Sequence, residues 1–188
     1  SKLESIALPF VGGSAFAVSA SSQTSFGYIF GTTSYTGGIG IKQNYSSSSY
    51  TYYYIPSSLK SVKITGKKIP SYAFADCSGL TSIIVGDSVT YIGSWAFYNC
   101  SSLTSIVIPD SVTSIYEDAF TGCSSLESIT LPFVGEGLSA TEASSSTLFG
   151  YIFGTMVYDG GTGTKQYYYN GYSHSYSSDV IFYIPSSL

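Results

Sequence analysis

Charge is scarce in this sequence, and its scarcity excludes several classes of function. Only 10% of the 188 residues are charged, none of the basic residues is arginine, and the net charge is -4. Proteins that bind the phosphate backbone of nucleic acids carry clustered Lys and Arg, so we predict no nucleic-acid partner. No apolar run reaches the roughly 20 residues that span a bilayer, so we expect no direct membrane insertion.

Residues that carry out catalysis are equally scarce. His174 is the only histidine, and it lies in a stretch of Tyr and Ser without a nearby carboxylate pair, which leaves general-base chemistry little to build on. No G-x-S-x-G nucleophile motif occurs. The adjacent carboxylates Glu117 and Asp118 fit a solvated corner. The sequence therefore predicts a non-enzymatic protein without a cofactor.

A repeat of about 23 residues dominates the stretch from residue 69 to residue 132. Ala-Phe pairs recur at 73–74, 96–97 and 119–120, and leucines follow at 80, 103 and 126. A fixed period in this range indicates a solenoid, in which each repeat is one coil that buries its apolar face by stacking on its neighbours. We predict one solenoid over residues 1–188, with coils starting near residues 3, 59, 80, 103 and 126.

Alternation within one coil predicts which side chains face the core. In the middle copy of the central repeat, Ile106 and Ile108 should point inward while Ser105 and Val107 point outward, because successive strand residues face opposite sides. Stacked coils place such strands roughly 4.8 Å apart. The expected architecture is an open parallel sheet with short turns as crossovers. Its exposed face carries small neutral residues, which argues against a charged ligand there.

The three cysteines occupy one position in successive coils. Cys77, Cys100 and Cys123 lie 23 residues apart, whereas metal sites use short Cys-x-x-Cys pairs. We therefore expect no metal site and interpret the thiols as small buried apolar groups in a ladder. A stacked pair could oxidise, but three thiols cannot all pair.

The motif Ala-Phe-x-x-Cys-Ser-x-Leu-Thr-Ser-Ile, followed by Pro-Asp-Ser-Val-Thr-x-Ile, is clearest from Ala96 to Ile115. It resembles the BspA-like leucine-rich repeats of bacterial surface proteins and of some protozoan proteins. The resemblance implies a leucine-rich-repeat-like solenoid, mostly β with short turns or helical turns. It also implies a role in adhesion, and a location that is extracellular or on the cell surface.

Two inserts, 10–53 and 133–182, interrupt the repeat at corresponding places. Phe-Gly-Tyr-Ile-Phe-Gly begins at Phe26 and again at Phe149, 123 residues later. We expect this apolar segment to form a short strand or turn that docks each insert against its own coil. The stretches 45–53 and 167–178 differ in length and sequence. A constant base with a variable tip is typical of a presented loop, and inserts on one face often form the binding face.

Tyrosine is concentrated in the inserts, which hold thirteen of the 19, six in the first and seven in the second. Tyr supplies large contact area at low entropy cost, and Ser and Gly add adaptable hydrogen bonds, as in antibody paratopes. The alternative is that these rings pack on each other and on the coil. The candidate ligand contacts are Tyr45, Tyr50, Tyr52, Tyr53, Tyr167, Tyr168, Tyr169, Tyr172 and Tyr176.

The leading hypothesis is an extracellular binding or adhesion module of a bacterial surface protein. It would recognise a host protein, a glycan or a neighbouring cell through the insert tips or the concave sheet. The second hypothesis is a structural spacer or a stalk that associates end to end. Because the chain begins and stops within recognisable repeat units, we expect it to be a fragment of a longer secreted protein.

Overall fold

The computed structural model describes residues 2–13, 21–137, 144–169 and 177–188, and at 167–169 and 177–179 it describes the backbone alone. Twelve strands occur in the described residues: β1 Ser5–Leu8, β2 Gly38–Asn44, β3 Tyr50–Pro56, β4 Ser61–Ile64, β5 Lys68–Ile69, β6 Ser82–Val85, β7 Tyr91–Ile92, β8 Ser105–Val107, β9 Ser114–Ile115, β10 Ser128–Thr130, β11 Gly161–Tyr169 and β12 Ser177–Pro185. Four 3-10 turns span Ser22–Thr24, Phe26–Ile29, Ser145–Thr147 and Phe149–Ile152. Within the described ranges, no helix is long and apolar enough to cross a membrane.

One face of the molecule is built from parallel strands, one per coil. β4 pairs in parallel with β1 on one side and β6 on the other, and β8 pairs in parallel with β10. Equivalent residues pair across coils, as Ser5 does with Ser61 and Ser61 with Ser82. The structure is thus a mostly β solenoid with a parallel sheet, which confirms the predicted fold class.

A second ladder of very short strands runs along another side of the coils. β7 pairs in parallel with β5 and with β9, so that Ile69, Ile92 and Ile115 are in register. All three isoleucines are fully buried. Each strand of this ladder has only two residues, because the chain then turns away and continues into the segment that carries the Ala-Phe pair.

The core is a set of ladders in which each coil supplies the same residue type. Phe74, Phe97 and Phe120 are fully buried, and their rings follow one another at 5.7 Å and 5.1 Å between centroids. Backbone hydrogen bonds hold the coils in this register: the Phe74 N–H donates to the carbonyl of Ala96, and the Phe97 N–H to that of Ala119. Ile106 and Ile108 are also buried and Val107 is exposed, which confirms the predicted alternation.

The cysteines form one of these ladders. Cys77, Cys100 and Cys123 are all buried and free. The Cys100 thiol donates to the carbonyl of Phe74 at 3.3 Å, and the Cys123 thiol to that of Phe97 at 3.2 Å. The predicted interpretation as small buried groups is confirmed. Burial raises the pKa of each thiol, so none of them is an activated nucleophile at neutral pH.

Each insert is a 3-10 turn followed by a β-hairpin. The repeated segment forms the turns Phe26–Ile29 and Phe149–Ile152 rather than strands. Each turn adds a phenylalanine to the core ladder, because Phe26 lies 5.0 Å from Phe74 and Phe153 lies 6.3 Å from Phe120. The first hairpin pairs β2 with β3 and the second pairs β11 with β12, both antiparallel.

Candidate functional site

The first hairpin is held on the solenoid by one buried glutamine. Gln43, on β2, is fully buried. Its amide nitrogen donates to the carbonyl of Ala75 at 3.0 Å, while its amide oxygen accepts the N–H of Gly27. The same nitrogen also reaches the Cys77 sulfur at 3.4 Å. One side chain therefore links the hairpin, the 3-10 turn and the next coil.

Tyr53 on β3 provides the second anchor. Its side chain is only 2% exposed, and its hydroxyl donates to the carbonyl of Ser22 at 2.6 Å. The ring lies against Gly27, where any Cβ would come within 2.4 Å of the Tyr53 Cβ. Burial raises the pKa of Tyr53. Tyr53 was a candidate ligand contact, but the structure places it in the interior, where it anchors the hairpin.

The outward face of the first hairpin presents two tyrosines. Tyr50 and Tyr52 are 48% and 55% exposed, and their rings meet edge to face at 5.7 Å between centroids. The Lys42 Nζ lies 4.1 Å from the centroid of the Tyr50 ring, within the range of a cation–π contact. These three residues form one exposed surface, which we call the tyrosine face.

Serine hydrogen bonds shape the tip of this hairpin. The Tyr45 N–H donates to the carbonyl of Ser49 at 3.0 Å. The Ser46 hydroxyl accepts the N–H groups of Ser48 and Ser49, at 3.3 Å and 2.9 Å. The candidate contact Tyr45 is half-buried and begins this turn. The tip is thus a compact turn rather than an open loop.

A polar groove runs across the coils from the base of this hairpin. Asp76 lies at its centre and accepts hydrogen bonds from Asn99 at 3.0 Å and from Asn44 at 3.3 Å. Burial raises the pKa of Asp76, while the Asn99 hydrogen bond and the charge of Lys42 oppose the shift. The groove continues past Tyr98 and is open to solvent. Its amide and carboxylate groups are suited to hydrogen bonding with a partner.

The second hairpin repeats the anchor but not the tyrosine face. The Gly150 N–H donates to Gln166 Oε1 at 2.9 Å, and Phe182, at the position of Tyr53, is 3% exposed. Ile181 replaces Tyr52. The candidates Tyr167, Tyr168 and Tyr169 lie on β11, where only the backbone is described. Tyr172, Tyr176 and His174 lie outside the described residues.

The parallel sheet also exposes an apolar strip. Ile84 and Val107 are 47% and 63% exposed on its outer face. Ser105 and Thr130 flank them and are exposed too. This strip is the alternative binding surface that the sequence indicated, and it lacks aromatic rings.

The coil pattern matches a known family model over residues 45–146, described as BspA type leucine-rich repeat region. The chain belongs to the BspA-type leucine-rich repeat family. This confirms the resemblance noted from the sequence, and membership indicates a protein-interaction module. A leucine-rich repeat protein from Bacteroides ovatus is 42% identical over 40% of this chain and 20% of its own length, with a TM-score of 0.39. The Treponema pallidum leucine-rich repeat protein is 24% identical over 40% of this chain and 43% of its own, with a TM-score of 0.33. No curated protein matches the sequence.

The plain BspA-type coils carry a cluster of half-buried aromatic residues that the sequence did not lead us to expect. Tyr72 and Trp95 occupy the same position in successive coils, with rings parallel to within 5° and centroids 6.1 Å apart. Tyr98 meets Trp95 edge to face at 5.2 Å. All three are half-buried. The 23-residue spacing of Tyr72 and Trp95 is the sequence signal for this cluster.

The described residues offer several surfaces that are arranged for contact with a partner. Among them, no three His, Cys, Asp or Glu side chains converge to hold a metal ion. The groups that are arranged for contact are the tyrosine face, the polar groove and the aromatic rings of the coils. What these surfaces can do chemically is stack, exclude water and form hydrogen bonds.

Proposed function

We propose that this chain is a binding module of a bacterial cell-surface protein, and that it engages a partner protein through the tyrosine face. The observation that carries the proposal is the exposure of Tyr50 and Tyr52 on a hairpin fixed to the solenoid by Gln43 and Tyr53. Rings held on a rigid support lose little entropy on binding. The extracellular location, the adhesive role and the tyrosines of the second tip belong to the same proposal.

The tyrosine face is favoured over the sheet strip because of its residue types. Tyr is enriched among the residues that dominate binding energy, whereas Leu, Ser, Thr and Val are under-represented there. The neighbouring groove adds hydrogen-bonding groups at Asn44, Asp76 and Asn99. An aromatic centre beside polar groups resembles the core and rim of protein interfaces.

A screen of immobilised extracellular-matrix proteins and a glycan array would test the proposal. We expect a matrix protein to bind, and the double variant Tyr50→Ser/Tyr52→Ser to bind about tenfold more weakly because two exposed aromatic contacts are lost. The matched control is Ile84→Ser/Val107→Ser, which removes two similarly exposed apolar side chains from the sheet strip. A third variant replaces Tyr167, Tyr168, Tyr169 and Tyr172 by Ser and tests the second tip.

Melting temperature and circular dichroism should be unchanged in all of these variants, since the replaced side chains of the first hairpin and the sheet are exposed. Binding that survives Tyr50→Ser/Tyr52→Ser but is lost in Ile84→Ser/Val107→Ser would show that the partner binds the sheet strip instead of the tyrosine face. Binding to the glycan array alone would replace the protein partner by a carbohydrate.

A second candidate function is a stalk that associates end to end. Phe30 and Phe149 favour this function, because both are only half-buried. Their counterparts in the other insert, Phe153 for Phe30 and Phe26 for Phe149, are fully buried. Light scattering over a range of concentrations would then show growing mass, and Phe30→Ser/Phe149→Ser would abolish that growth. A constant monomer mass at the highest concentration would refute this function.

A further inference from the structure

Three aromatic side chains form a continuous cluster on a corner of the plain coils, where Tyr98 also borders the polar groove. This aromatic corner consists of Tyr72, Trp95 and Tyr98. The rings of Tyr72 and Trp95 lie parallel, and Tyr98 stands at 71° to the Trp95 ring with its centroid 5.2 Å away. All three keep part of their surface exposed to solvent. The corner is therefore a preformed set of ring faces and edges.

The backbone at this corner has an unusual conformation for residues of this size. Tyr72 and Trp95 have φ values of 59° and 60°, in the left-handed region that bulky side chains rarely adopt. The other left-handed positions of the coils hold residue types that tolerate it, namely Asp76, Asn99, Asp118 and Gly122. Strained bulky residues concentrate at functional sites. Packing in the core does not require these two rings, since both side chains are half-exposed.

Two carboxylates lie one coil along from Trp95. The Trp95 N–H donates to the carbonyl of Glu117, and Asp118 occupies the position of Trp95 in the next coil with φ 58°. Burial, and then the charges of Asp118 and Glu117, raise the pKa of Tyr72, so both charges act on the corner. Asp118 Oδ1 accepts the Thr121 hydroxyl at 3.1 Å. Within the described ranges, neither carboxylate forms an ion pair.

We propose that the aromatic corner, with Glu117 and Asp118, binds a cationic side chain of a partner protein, preferably an arginine. A guanidinium stacks on the faces of Trp and Tyr rings and pairs with carboxylates through its planar set of N–H donors. Trp is the best cation–π partner of the aromatic side chains. This chain has no arginine of its own and a net charge of -4, so charge complementarity favours a basic partner. The inference is independent of the tyrosine face.

The test uses Trp95 as its probe, because it is the only tryptophan in the chain. The intact chain is titrated with the peptide acetyl-Gly-Arg-Gly-Arg-Gly-amide while Trp95 emission is followed. The first reference peptide replaces each Arg by citrulline, which keeps the shape and removes the charge. The second reference is cellohexaose, a neutral sugar that stacks on aromatic rings. We expect saturable change with the Arg peptide, weakening as salt rises, and none with either reference.

Two double variants separate a site from the general negative charge. Glu117→Gln/Asp118→Asn should weaken binding by about fivefold or more, since the paired charges strengthen the cation–π contact. Asp87→Asn/Asp110→Asn removes the same net charge from exposed positions elsewhere on the coils and should leave binding within about twofold. A further variant, Tyr72→Asn, should lose binding while its melting temperature holds or rises, because Asn tolerates the left-handed backbone.

Three results would overturn the proposal. Equal weakening by both double variants would show attraction to the net charge alone. A response to cellohexaose but not to the Arg peptide would assign the corner to a carbohydrate. A fall in the melting temperature of Tyr72→Asn, with the Arg affinity unchanged, would show that the ring serves the fold. Circular dichroism of each variant confirms that the chain is folded during the titration.

Discussion

Gln43 shows how a single side chain determines the position of a whole hairpin. A buried amide has to satisfy both its donors and its acceptor, because each unpaired group costs about 1–3 kcal/mol. Gln43 meets this requirement with Gly27, Ala75 and Cys77. Gln166, its counterpart in the second insert, accepts from Gly150 but donates to no described residue. Glutamine at the same position of the two inserts therefore forms different sets of hydrogen bonds, and it contributes differently to the stability of the two hairpins.

Replacing these two glutamines separately gives a matched pair. Gln43→Ala should lower the free energy of unfolding by about 2–3 kcal/mol, since it leaves the Gly27 N–H and the Ala75 carbonyl buried without this partner. Gln166→Ala should lower it by about 1 kcal/mol or less, because one hydrogen bond in a half-buried position is lost. Urea unfolding of the two variants measures the difference. Equal losses would contradict the role assigned to the buried amide.

The 3-10 turn is the element that allows an insert to join the stack of coils. Phe26 and Phe30 lie four residues apart and their rings contact each other at 5.4 Å between centroids, as those of Phe149 and Phe153 do at 5.3 Å. In the first turn Phe26 packs on Phe74, whereas in the second Phe153 packs on Phe120. One phenylalanine at each turn thus extends the core ladder of the coils. The hairpin then extends outward without breaking the ladder.

The hairpins were only partly predictable from the sequence. A constant base and a variable tip were expected, but β2 and β3 were not identified as strands. The alternation of apolar and polar residues is hard to recognise in these two strands. β2 contains the small residues Gly38 and Gly40, and β3 consists largely of tyrosine. In β3, Tyr50 and Tyr52 are exposed and Tyr53 is buried, because Gln43 and Tyr53 hold one face of the hairpin against the coil. That contact is tertiary and leaves no local signal.

Across the whole molecule, stability comes from buried ladders and coil-to-coil hydrogen bonds. The ladders include all three cysteines, and burial raises the pKa of the Cys123 thiol to about 12. Burial favours the protonated thiol because that form is uncharged. Above the ordinary pKa of 9.0 the unfolded chain therefore releases this proton, whereas the folded chain retains it. Stability from this group is therefore complete below pH 9 and is lost as pH rises from there toward 12. Tyr151, whose pKa burial raises to about 12, acts in the same direction.

Alkaline unfolding should reveal this linkage. We expect the free energy of unfolding to fall steadily between pH 9 and pH 11, because folded Cys123 keeps its proton throughout that range. Cys123→Ala should show a shallower fall, while Val112→Ala, which creates a cavity without removing a titrating group, should keep the original slope. Urea unfolding at pH 8, 9, 10 and 11 provides the measurement. Equal slopes for the two variants would exclude the thiol as a contributor.

The sequence by itself determined the coil, because a 23-residue period places the same residue type at the same point of each turn and only stacking buries it. It therefore predicted the sheet, the inward isoleucines and the cysteine ladder. Tertiary structure alone decided which of two adjacent tyrosines, Tyr52 or Tyr53, meets solvent, and which phenylalanine of each identical turn enters the core. It also decided that Tyr72 and Trp95 remain at a surface corner. Local spacing specifies the direction of a side chain, but its burial depends on what the fold places against it.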